Sequence, residues 1–219
     1  MDLTPETLAG LAGGLLLLAL GLILWMRRHR RLSMEAARAK GRAKVLAVLE
    51  TVPDSVVFQN VGIDFNGRLG ELNILMIRGN GIFAIEAESL RGVVRVSNAP
   101  AWSVLGPGGL SRRTMRNPIA RVMRNIRTLK ERLEGQSFPI RPLIEVVVCL
   151  TDESARIEIA DAQRIPVLPL SELSAYILGR PENTPKNAHE ASKLRTFLLD
   201  NGVQSLETGN PPTPEPQAA

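Results

Sequence analysis

The chain has 219 residues, enough for one ordinary domain with appendages, and its 44% hydrophobic and 22% charged content is that of a folded protein. A single cysteine, Cys149, excludes an internal disulfide, and the two histidines, His29 in a basic run and His189 in a polar helix, argue against a His-based metal site. The net charge of +5 is unevenly spread: residues 27–44 hold eight Arg or Lys against Glu35 alone, and residues 110–133 hold eight against Glu131.

Residues 8–26 read LAGLAGGLLLLALGLILWM, 19 positions without a charge. That is close to the roughly 20 residues a helix needs to cross a bilayer's hydrocarbon. Trp25 stands at one end, Arg27, Arg28, Arg30 and Arg31 follow, and the N-terminal stub holds Asp2 and Glu6. These features predict a single transmembrane helix with its N-terminus outside and the rest of the chain in the cytoplasm. A cleaved signal peptide would carry a basic leader and a small-residue cleavage site, and neither is present. The basic flank beside the anchor suits anionic lipid, each cation contributing on the order of 1 kcal/mol. The organisation expected is an anchor and flank over 1–32, an α/β domain over 33–180, a C-terminal helix over 181–203, and a disordered proline-rich tail over 204–219.

After the anchor, helical spacing places Ala37, Val45, Leu46 and Leu49 toward a core, with Gly41 amid them and Pro53-Asp54 as the stop. SVVFQNV reads as a strand and GIDFNGRLG as a turn-rich excursion. ELNILMI and IFAIEAE flank a hairpin turn signalled by Asn80-Gly81. GVVRVS and AWSVL are two further short strands, and GPGGLSRR is a loop without the ending of a phosphate-binding motif. Asn117-Pro118 opens an amphipathic helix with Ile119, Val122, Ile126, Leu129 and Leu133 on one side and Arg121, Arg124 and Arg132 broadly opposite. LIEVVVCL is a strand buried on both faces, with Cys149 as a core residue. IPVLPL is a short strand, Ser171 caps the next helix, and Ala191, Leu194, Leu198 and Leu199 line the last one. The order predicts an α/β domain with a mixed sheet flanked by helices.

Alternation along GIFAIEAE puts Glu86 and Glu88 on one face of a strand, with Ile85 and Ala87 on the other. Two carboxylates so placed raise the question of a metal site for phosphodiester cleavage. The run GELNILMIRGNGIFAIEAESLRGVV, then Trp102, then NPIARVMRNIRTLKERL, resembles the nuclease-related domain family, NERD, over about residues 37–178. The resemblance implies a restriction-endonuclease-like fold and a Mg²⁺-dependent active site. The family's presumed site residues carry over poorly. Arg42 stands where a Glu follows the glycine of the first helix. Asn73 replaces an Asp, Glu86 is kept, Glu88 replaces the Lys of a Glu-x-Lys pair, and Arg121 replaces a Gln.

A hard divalent cation needs charged oxygen ligands, and Asn73 offers only a neutral one. Glu88 inverts the sign of the Lys that would stabilise developing negative charge. The expectation is therefore a degenerate site at Glu86, Glu88 and Asn73 and no cofactor, in a module that binds nucleic acid or scaffolds other proteins. An alternative is a Mg²⁺- or Mn²⁺-dependent nuclease in which Glu71, Glu86 and Glu88 form a three-carboxylate cluster. A third is a non-enzymatic membrane assembly protein. DNA or RNA would meet the basic helix through Arg113, Arg116, Arg121 and Arg124, although a solvated helix face also explains such a run. Scarce aromatics argue against single-strand recognition. Trp102 reads as core.

Overall fold

The computed structural model describes residues 5–65, 68–79, 81–109, 111–135, 143–181, 185–200 and 205–208. The chain divides into two compact units, residues 1–40 and 41–219. A helix, α1 (Pro5–Leu49), accounts for the described part of the first unit and for the start of the second. Among the described residues no helix is long and apolar enough to cross a membrane. The span expected over 8–26 rests largely on side chains 8–19, which lie outside the described residues.

Among the described residues ten strands follow in the second unit: β1 (Ser55–Phe65), β2 (Arg68–Arg78), β3 (Gly81–Glu88), β4 (Val93–Val96), β5 (Ala101–Leu105), β6 (Arg112–Arg116), β7 (Ile144–Leu150), β8 (Arg156–Ile159), β9 (Val167–Pro169) and β10 (Ser205–Thr208). Helices α2 (Pro118–Gly135), α3 (Leu170–Leu178) and α4 (Pro185–Asp200) complete it. The larger sheet has the order β10-β1-β2-β3-β7-β9 and the smaller β6-β5-β4-β8. The larger sheet is mixed: β1, β2 and β3 form an antiparallel meander, and β7 joins β3 in parallel.

Apolar side chains explain this layering. Val45 and Leu49 of α1 pack with Ile74, Met76, Phe83, Ile85 and Cys149 on one face of the large sheet, where Leu173 and Ile177 of α3 join them. On the other face, Val122, Ile126, Leu129 and Leu133 of α2 meet Leu75, Ile82 and Ala84, with Leu194 and Phe197 of α4. The smaller sheet turns Val94, Val96, Trp102 and Val104 onto Val148 and Leu150 of β7. Trp102 is fully buried, as expected, and its indole Nε1 donates to the Ser97 carbonyl at 3.0 Å. Burial pushes the Cys149 thiol up to about 12. Native protein should therefore resist thiol-alkylating reagents at pH 8 and react at once when unfolded; equal rates in both states would contradict this placement.

Several expectations are corrected. Ala37 is exposed, not a core residue. The turn-rich excursion is absent: β1 and β2 carry the ladder out to Phe65 and Arg68, because backbone pairing persists past the glycines. In the β2–β3 hairpin Arg78 pairs with Gly81, and Asn80, which signalled the turn, lies outside the described residues. Pro169, not Ser171, is the N-cap of α3, with no side-chain cap bond. The loop GPGGLSRR ends in β6, so Arg112, Arg113 and Arg116 sit on a sheet edge, ahead of α2. Residues 205–208, read as disordered tail, pair with β1 as β10, and residues 209–219 lie outside the described residues.

Candidate functional site

On β3 the residues that face α2 are Ile82 and Ala84, and the same alternation continues to Glu86 and Glu88. Parallel pairing sets Glu86 beside Val148 and Glu88 beside Leu150, two members of the cluster beneath the small sheet. The acidic pair thus fills the seam between two apolar clusters and is 2% and 4% exposed. Charges so deeply placed require partners.

The partner comes from the first turns of α2. Asn117 fixes where that helix begins: its Oδ1 accepts from the Ile119 amide at 2.9 Å, and its Nδ2 donates to the carbonyls of Ser97 and Ala99. Pro118 occupies the first helical position, where no amide hydrogen is needed. One turn on, the Arg121 guanidinium Nη2 donates to Oε1 of Glu86 and, at 2.7 Å, to Oε1 of Glu88. Across the hairpin, Asn73 Nδ2 donates to the same Glu86 oxygen at 2.6 Å. Burial works against the charged form of Arg121, but the charges of Glu86 and then Glu88, with their hydrogen bonds, outweigh it and raise its pKa. Arg121 is cationic at every physiological pH.

Glu71 does not join this group. Its side chain is 53% exposed and its Oε1 lies 3.7 Å from Arg42 Nη1, which also donates to Asn60 Oδ1 at 2.8 Å. The structure therefore brings together Asn73, Glu86, Glu88 and Arg121, and sets Arg42 with Glu71 in a separate pair. Arg121, placed by the helical wheel broadly opposite the apolar face, is half-buried, with its Nη2 bonded to both acids. Arg124 is exposed on α2, whereas Arg113 and Arg116 are exposed on β6.

The donor set does not fit a divalent metal. Among the described residues no group of three or more His, Cys, Asp or Glu could hold one. Arg121 takes an oxygen of each glutamate, and Asn73 presents N–H where a ligand would present oxygen. Arg121 and Asn73 bond the acids, and neither is a nucleophile or a base.

The fold and site together define a mixed α/β domain whose central hairpin holds a buried acidic pair under an arginine from the adjoining helix. The chain belongs to the nuclease-related domain family, NERD: the family's model matches residues 37–151, just over half of its length. The match ends at the close of β7, short of the residue 178 suggested by the sequence. No curated protein and no solved structure matches the chain.

Proposed function

We propose that this nuclease-related domain no longer hydrolyses phosphodiesters and acts by binding nucleic acid at a membrane. The observation that carries the reading is the Arg121 guanidinium bonded to both Glu86 and Glu88. In a nuclease of the restriction-endonuclease-like fold, carboxylates in this position would hold Mg²⁺, which polarises phosphate and activates water. A guanidinium brings one positive charge against the two carboxylates, has no open coordination position and lowers no water pKa. Chemistry is lost while the scaffold keeps part of its charge compensation.

Membrane attachment, with the domain on the cytoplasmic side, is supported by the uncharged run at 8–26 and the arginines that follow it. Leu20, Leu22, Ile23, Leu24, Trp25 and Met26 are all exposed, and consecutive positions occupy every side of a helix. Such a surface is matched by lipid tails better than by water.

The test uses the full chain in non-ionic detergent with duplex DNA and RNA, each with Mg²⁺ or Mn²⁺. No cleavage above the background of Glu86→Ala protein is expected. Metal-dependent cutting that Glu86→Ala abolishes would establish a working nuclease instead.

A further inference from the structure

The smaller sheet has an outer face that the acidic site does not use. Met115 of β6, Trp102 and Val104 of β5, Val94 and Val96 of β4 and Ile157 of β8 all pack inward. By alternation the residues between them point outward. In register these are Arg112, Thr114 and Arg116 on β6, opposite Leu105, Ser103 and Ala101 on β5. Next come Val93 and Arg95 on β4, then Arg156 and Glu158 on β8. Arg95, Arg112, Arg116 and Arg156 are all exposed. Among the described residues none of the four makes an ion pair, although Glu158 is the register partner of Arg95. Four guanidiniums against one carboxylate stand on rigid, paired backbone.

We infer that this face, through Arg95, Arg112, Arg116 and Arg156, binds the phosphate backbone of double-stranded nucleic acid. Arg112 and Arg116 are about 13 Å apart along their strand, and the four strands span about 14 Å. That footprint covers on the order of four phosphates of one duplex strand. Guanidinium forks match phosphate oxygens in pairs, which lysine ammoniums do not. The face carries no aromatic side chain on which an unstacked base could rest, so it suits a duplex and reads no sequence. Nor does it carry an exposed large apolar side chain that would enter lipid: Ile159, the exposed one on β8, belongs to the inward series. The placement differs from the basic helix that the sequence suggested, since Arg113 falls in the inward series of β6 and Arg121 is bonded to the acids.

The inference rests on the nucleic-acid-binding reading, and one experiment separates the two. Full-length protein in non-ionic detergent is titrated into labelled 24-base-pair DNA and RNA duplexes over a range of salt, followed by fluorescence anisotropy. Replacing all four residues (R95Q/R112Q/R116Q/R156Q) should reduce the slope of log K against log salt by about 3 to 4. Arg127→Gln on α2 should leave it unchanged. The pairs R112Q/R116Q and R95Q/R156Q should each remove about half of the slope, which keeps the test valid should the fourfold variant fold poorly. DNA and RNA binding with the same slope would show that phosphate alone is read. Wild-type binding that the variants retain would overturn this face and leave the broader reading standing. No wild-type binding to either duplex would overturn both. Loss in the fourfold variant only of binding to phosphatidylserine vesicles would reassign the face to lipid.

Discussion

Replacing Arg121 with alanine should destabilise the folded domain by about 2 to 3 kcal/mol in urea titration at pH 7. Removing one partner of a buried pair commonly costs about 3 to 5 kcal/mol, because the remaining charge stays buried without compensation. The figure is reduced here because the Arg121 side chain is 39% exposed, so water partly screens the interaction. The loss comes from leaving two buried carboxylates without their cation. Arg121→Lys should recover part of the stability, as a point charge that cannot reproduce a planar fork. A variant as stable as wild type at pH 7, or no recovery with lysine, would show that Arg121 does not compensate these acids.

The second large effect is expected at Gly92, in the turn between β3 and β4. Its φ is 86°, a region that side chains disfavour, and a Cβ there would lie 2.0 Å from the Leu105 carbonyl oxygen. That oxygen belongs to the backbone of β5, which is held by β4 and β6 and cannot move alone. Gly92→Ala therefore combines backbone strain with a collision, and should cost about 3 to 5 kcal/mol. For a chain of this size that corresponds to a fall in Tm of roughly 10 °C. Gly109 supplies the comparison: its φ is 71° but nothing lies within 4 Å of the added carbon. Gly109→Ala should cost only the strain, on the order of 1 kcal/mol. Calorimetry on the two variants separates the collision from the conformation, and equal losses would show that the contact with Leu105 is unimportant.

Elements specified by nearby residues were legible in the sequence. The Asn117-Pro118 helix start, the apolar stripe of α2, the doubly buried β7 and the β2–β3 hairpin each rest on a pattern within about 20 positions. The strands that escaped are defined by distant partners. RIEI at β8 is a four-residue segment that becomes a strand only because β4 lies beside it, and β10 exists only because β1 offers an open edge. The extension of β1 and β2 through GIDFNGRLG was hidden by glycines that usually interrupt a ladder.

The site was half legible. Alternation alone placed Glu86 and Glu88 on one face, whereas Asn73 was singled out only through the family resemblance. The alternative cluster with Glu71 is not formed, and Glu71 lies instead beside Arg42 of α1. Arg121 was assigned to nucleic acid on an open helix face because a helical wheel describes one helix and not what lies opposite it. A signal was available nonetheless. Relative to the family pattern, a positive charge leaves the strand at position 88 and another arrives on the helix at position 121.

The attachment of that cation to the polypeptide has a consequence of its own. An ion held from solution is present only in proportion to its concentration, and chelators or competing ions can strip it away. The charge on Arg121 arrives with translation and has no dissociation constant, so its share of the compensation of the two carboxylates does not vary with magnesium concentration.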